Sequence, residues 1–110
     1  MSLHFCSHSW EVLDTDDGTR VILTRRDIDP ETAAVLVDDL LEVFLESGKP
    51  NLYLDFTEIR QVSSVIMGKL LALNDQLRSH AGRLVLQGMN AMVLEAFKTV
   101  RLDETLDIRG

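Results

Sequence analysis

The segment from Leu52 to Gly68, Leu-Tyr-Leu-Asp-Phe-Thr-Glu-Ile-Arg-Gln-Val-Ser-Ser-Val-Ile-Met-Gly, constrains this chain more than any other. It starts as a short apolar run suited to a buried strand. It passes through a polar loop, and Ser63-Ser64 then opens a helix-periodic stretch. With the segments around it, the order reads β-β-α-β-α-β-α, which implies an α/β layer structure with parallel central strands joined by right-handed helical crossovers. A serine at a helix start caps it by accepting a bond from an otherwise unpaired backbone N–H. A phosphate suits the same place, because free N–H groups and the positive end of the helix dipole converge there.

The flanking segments extend the pattern. Trp10–Asp14 and Thr19–Thr24 read as two strands around Thr15-Asp16-Asp17-Gly18, with Gly18 expected to supply the positive φ of a hairpin turn. Asp29-Pro30-Glu31 is a helix start: Asp as cap, Pro in the first turn, then an acid. In the helix that follows, Val35, Leu36, Leu40, Val43 and Phe44 are expected inward, and Gly48-Lys49-Pro50 ends it. Asn51–Phe56 reads as a strand covered on both faces. Ile66, Leu70, Leu73 and Leu77 form the buried stripe of the next helix, flanked by Met67 and Leu71. Gly82 closes that helix and Arg83–Gln87 is another strand. A third helix should turn Met92, Val93, Ala96, Phe97 and Val100 inward. Leu106-Asp107-Ile108 adds a last strand or a helical turn. The expectation is one domain over residues 1–110, with a flexible N-terminus at 1–8 and a small mixed sheet packed against helices.

With 110 residues, 45% of them hydrophobic, the chain holds enough apolar material for one core. The formal net charge of −7 and the scatter of Lys and Arg argue against a nucleic-acid or anionic-membrane partner. The single cysteine, Cys6, precludes an intrachain disulfide and fits a reducing compartment. The start of the chain lacks the basic-then-apolar pattern of a secretory signal, and no apolar stretch approaches the ~20 residues of a membrane helix. A cytoplasmic location is expected.

An enzyme reading fares poorly. Serine nucleophiles need a histidine base within hydrogen-bond reach. His4 and His8 lie near the terminus, and His80 ends the helix that Ser64 begins, about 24 Å away at a rise of roughly 1.5 Å per residue. No glycine-rich phosphate loop is present. His4, Cys6 and His8 have too weak a spacing to mark a metal site. No catalytic residue, metal or cofactor is expected. Asp55, ending the central strand, stands where ligand sites of open α/β sheets gather; accepting loop N–H bonds is its structural alternative.

From Leu54 to Ile108 the chain resembles the STAS domain family, best known from bacterial anti-sigma factor antagonists. Leu54-Asp55-Phe56-Thr57 falls on the family's strand end. Ser63-Ser64-Val65-Ile66-Met67-Gly68 falls on its Asp-Ser-Ser/Thr-Gly-Leu-Gly motif. Ala81-Gly82-Arg83-Leu84-Val85-Leu86 matches the turn and strand, and Glu95–Asp103 the last helix. The spacings agree without gaps when Ser64 takes the place of the phosphorylated serine. Two positions depart: Ser63 stands for the usual Asp, and Ile66 for Gly. The resemblance implies a non-catalytic switch whose partner is an anti-sigma factor with serine kinase activity, held when Ser64 is bare and released when it is phosphorylated. Asp55, Thr57, Ser63, Ser64 and Lys69 would then carry partner contacts, with the loop Thr57–Val62. The departure at Ser63 keeps open a STAS scaffold without phosphoregulation, including a subunit of a membrane transport complex. A small anion-binding module at the same helix start is the third reading.

Overall fold

The computed structural model describes residues 10–109; the expected flexible segment 1–8, with His4, Cys6 and His8, lies outside them. Among the described residues, β1 (Trp10–Asp14), β2 (Gly18–Leu23), β3 (Asn51–Asp55), β4 (Arg83–Gln87) and β5 (Asp107–Arg109) form one sheet in sequential order. Helices α1 (Pro30–Ser47), α2 (Ser64–Ser79) and α3 (Ala91–Thr99) connect β2 to β3, β3 to β4 and β4 to β5. The β1–β2 pair is antiparallel and the other pairs are parallel. This is the expected mixed α/β architecture. Of the two alternatives for Leu106–Ile108 the structure has the strand, β5, and a short 3-10 turn at Leu102–Glu104 precedes it.

Local signals set most boundaries. Asp29 caps α1 by accepting from Thr32 N at 2.7 Å, and Gly48 closes it in the left-handed region at φ 67°. Ala33, Leu36, Leu40, Val43 and Phe44 are its buried residues. Val35, expected inward, is 54% exposed, because one helical step turns it away from the Leu36 line. In α2 the stripe Ile66, Leu70, Leu73 and Leu77 is buried as expected, with Met67 beside it. In the nine-residue α3 Val93 and Phe97 are the fully buried residues, with Leu94 partly buried against the core and Ala96 half-buried. Met92 is 75% exposed, and Val100, already past the helix end, is 52% exposed.

Three crossovers stepping the same way across a sheet place their helices on one face when each is right-handed. The burial pattern agrees. Trp10, Val12, Val21, Leu23, Leu52, Leu54, Leu84 and Leu86 alternate along the strands and merge with the helix stripes into one core cluster. The opposite face carries Leu13, Arg20, Tyr53, Val85 and Asp107 along one register row, of which Val85 is buried. Tyr53 there is only half-buried, so β3 is covered by helices on one face rather than both.

Two glycines act differently from expectation. Gly18 is not a positive-φ turn residue. It begins β2, where a Cβ would collide with the Asn51 carbonyl of β3. At the end of α2, Ala81 takes the left-handed conformation at φ 59°, and Gly82 is required because a Cβ would meet the Phe44 ring. Both demands are close approaches set by tertiary packing.

Candidate functional site

Parallel strands linked by helices bring the carboxyl ends of β2, β3 and β4 and the starts of all three helices to one end of the molecule. Backbone bonds lock the loops there together. Phe56 N donates to Gln87 O at 2.8 Å, and Arg60 N donates to Arg26 O at 2.7 Å. The Asn90 side chain, which caps α3 by accepting from Val93 N at 2.8 Å, also donates to Ile59 O at 3.3 Å. Phe56 and Ile59 anchor the β3–α2 loop in the core, with the Phe56 ring edge-on to Phe97 at 6.1 Å. The loop that presents the serine pair is therefore fixed at both ends.

Ser63 and Ser64 divide the work of the helix start. Ser63 has extended geometry at φ −102° and ψ 162°, and its Oγ accepts from Ile66 N at 3.3 Å. Ser64 is the first helical residue, exposed to solvent, and its hydroxyl takes no part in the cap. No acidic residue stands in the first turn of α2. A negative group on Ser64 would meet unopposed helix-end dipole.

Asp55 is only 5% exposed. Its Oδ1 accepts from Thr57 N at 2.8 Å and Thr57 Oγ1 at 2.5 Å; its Oδ2 accepts from Arg20 Nη2 at 2.6 Å. Burial pushes the carboxyl pKa up, but the Thr57 hydroxyl, the Arg20 guanidinium and the Thr57 amide together outweigh it and hold the group below the ordinary 3.8. The contacts of Asp55 within the chain are thus those of the structural alternative, a carboxylate that staples the strand end to the loop and to β2. Thr57 is exposed and spends its hydroxyl on Asp55. Lys69 is half-buried, five residues beyond Ser64 and so about 140° around the helix. The structure brings Asp55 to Thr57 and Ser63 to Ser64; it does not set Lys69 beside Ser64.

Two features of this end escaped the sequence reading. Arg20 is one, since nothing local to β2 marks it as the partner of a carboxylate 35 residues away. The other is a groove of about 250 Å³ between the β3–α2 loop and α3, lined by Arg60, Gln61, Val62, Met92, Val93 and Ala96. The length of α3 was the available clue, because nine residues bury a single i, i+4 pair and leave Met92 outside. His80 lies at the far end of α2, edge-on to Phe44 and bonded to Gln76 O. Among the described residues no group of three His, Cys, Asp or Glu side chains could hold a metal, and no helix is long and apolar enough to cross a membrane.

Solved structures share this fold. A candidate anti-sigma factor antagonist from Thermotoga maritima superposes with a TM-score of 0.76 at 22% identity, covering 92% of this chain and 86% of its own. The anti-sigma factor antagonist SpoIIAA in its unphosphorylated form gives 0.71 at 13% identity, over 93% of this chain and 88% of its own. The Bacillus cell-fate determinant SpoIIAA in its phosphorylated form gives 0.67 at 14% identity, over 93% and 92%. A search of curated proteins finds no match. The sequence profile of the family described as "Mlab, STAS domain" matches residues 12–109, nearly the whole length, and the chain belongs to that STAS family.

Proposed function

We propose that this domain works in the cytoplasm by binding an anti-sigma factor with serine kinase activity, and that phosphate on Ser64 sets whether that partner is held. The observation that carries this reading is the division of labour at the start of α2. Ser63 caps the helix, so the exposed hydroxyl of Ser64 can be modified without loss of the cap. The partner surface would comprise Ser63, Ser64, the exposed residues of the loop 57–62 and the Met92 groove, with Asp55 acting through the loop that it staples. Lys69 would contribute at the margin. The domain is substrate rather than catalyst, and ATP belongs to the kinase.

The energetics suit a switch that acts on binding rather than folding. A phosphate brings about −1.5 to −2 charges at neutral pH. At a helix N-terminus it gains ~0.3–1 kcal/mol. Buried unpaired against a partner, it costs several kcal/mol. Intact-mass measurement after incubation with ATP and cytosolic extract of the source tests the reading. One added phosphate mapped to Ser64 supports it. An unmodified chain favours the second reading, a constitutive STAS scaffold, for which Ser63 in place of the family's acidic residue is the supporting feature.

A further inference from the structure

The outward face of α1 carries charge that works against its own helix. The helix holds Glu31, Asp38, Asp39, Glu42 and Glu46 and no Lys or Arg. Asp38, Glu42 and Glu46 follow one another at four-residue spacing, and all three are exposed. Like charges at that spacing disfavour a helix. Glu46 also stands in a last turn without a basic residue, where the helix dipole disfavours an anion. Among the described residues no ion pair engages Asp38 or Glu42. An apolar ridge runs beside the acidic one: Leu45 is 50% exposed, and Leu41, one turn before it, is partly buried against the core.

Leu45 is shared by two hollows. One, of about 330 Å³, is lined by Asp38, Leu41, Glu42, Leu45 and Glu46. The other, of about 300 Å³, continues past the end of α1 between Phe44, Leu45, Pro50 and His80. Lys49 borders the second hollow, but its ammonium donates to the Thr15 carbonyl at 2.6 Å. Together they make an apolar groove along α1 with carboxylates on its rim. The charge selects the occupant. A second copy of this chain, at a net charge of −7, would set like charge against that rim, and nucleic acid and anionic membranes are repelled in the same way. Apolar side chains one or two turns apart on a partner helix reach both hollows, and Lys or Arg beside them meets Asp38, Glu42 and Glu46. We propose that this groove docks a basic amphipathic helix of another protein. It starts roughly 12 Å along α1 from Pro30 and ends beside His80, at the far end of α2 from Ser64, so it stands independently of the proposed switch.

Fluorescence anisotropy tests this with a capped, dye-labelled peptide that repeats Leu-Lys-Lys-Leu-Leu-Lys-Leu, and with its analogue carrying Glu in place of every Lys. The peptide is titrated with wild type, Asp38→Lys/Glu42→Lys and Leu45→Ser. Two controls lie elsewhere: Asp103→Lys/Glu104→Lys, an exposed pair giving the same change in net charge, and Met92→Ser, in the groove assigned to the switch. Each protein is first shown to unfold cooperatively, and Asp38→Asn/Glu42→Gln replaces the charge reversal if that variant does not fold. Saturable binding of the lysine peptide is expected. The charge reversal should weaken it about tenfold or more, the neutral pair or Leu45→Ser about threefold or more, and the controls should stay within about twofold of wild type. Absence of saturable binding overturns the proposal, as does equal binding of the glutamate analogue. Equal weakening by the two charge-reversal pairs reduces the effect to net charge and overturns it as well. Loss in Met92→Ser would move the peptide to the Ser64 end, and self-association of the wild type that Leu45→Ser abolishes would give the groove to a second copy; either result overturns the assignment.

Discussion

Replacing Asp55 by alanine removes the acceptor for three hydrogen bonds at once, from Arg20 Nη2, Thr57 N and Thr57 Oγ1. A hydrogen bond to a charged group contributes ~1.5–3 kcal/mol when its donor has no alternative. Here the donors have one, because the Arg20 side chain is 46% exposed and Thr57 lies at the surface, where water can replace the carboxylate. The three contributions therefore do not add in full, and the expected loss is about 2–3 kcal/mol. Asp55→Asn keeps a carbonyl for the Thr57 amide but gives up the charge that faces Arg20, so about 1 kcal/mol is expected. Urea denaturation reads both. With a slope of roughly 1–3 kcal/mol per molar for a domain of this size, the alanine midpoint should fall by about 1–2 M.

The pH dependence supplies an independent sign. The folded-state pKa of Asp55 is lowered, so its stabilisation is fully present above the unfolded value near 3.8 and is lost as pH falls through the lower folded value. The gap between wild type and Asp55→Asn should stay constant near neutrality and narrow only below about pH 4. An alanine variant within ~0.5 kcal/mol of wild type would refute the idea that Asp55 staples the strand end to its loop, and would return the carboxylate to the list of direct partner contacts.

Leu70→Ala should destabilise by about 2–5 kcal/mol, since Leu70 is fully buried between α2 and the sheet; a midpoint shift at the level of surface substitutions would remove it from the core. Asp29→Ala should cost about 1 kcal/mol through loss of the cap bond to Thr32 N, and an unchanged thermal midpoint would show that the cap contributes nothing. Met92→Ser should leave stability within ~0.5 kcal/mol while weakening partner capture; a clear drop in stability would place Met92 in the core after all.

What could be read from the sequence follows how local each signal is. The Asp29 cap, the Pro30 start and the Ile66–Leu70–Leu73–Leu77 stripe are written within a few turns of chain, and the structure has each of them. The order of elements followed from such signals. Features that depend on register were not legible. Arg20 meets Asp55 because β2 and β3 pair with Ile22 opposite Asp55, which sets Arg20 two residues along on the same face. Gly18 and Gly82 are dictated by Asn51 and Phe44, residues more than thirty positions away. The apolar run of β3 suggested cover on both faces, yet sequential strand order leaves its Tyr53 side free of helices. The apolar periodicity counts Val35, Met92 and Val100 as inward, but the observed helix phase and the early end of α3 put them outside. At the candidate site the serine pair was legible as a helix start; which serine caps and which is exposed needed the backbone geometry.

The central claim is that the Ser64 hydroxyl controls binding and not folding. Quantitative affinity capture from source lysate, with wild type, Ser64→Ala and Ser64→Asp matched for folded fraction by thermal unfolding, tests it most directly. The account predicts that none of the three loses stability, because Ser63 retains the cap in all of them, with Ser64→Asp gaining at most ~0.3–1 kcal/mol from the helix dipole. It predicts that the wild type and Ser64→Ala enrich one and the same kinase-type partner, and that Ser64→Asp loses it about a hundredfold, the equivalent of a few kcal/mol at the interface. Equal recovery of the same proteins by all three forms would contradict the account and leave Ser64 as an ordinary first residue of α2.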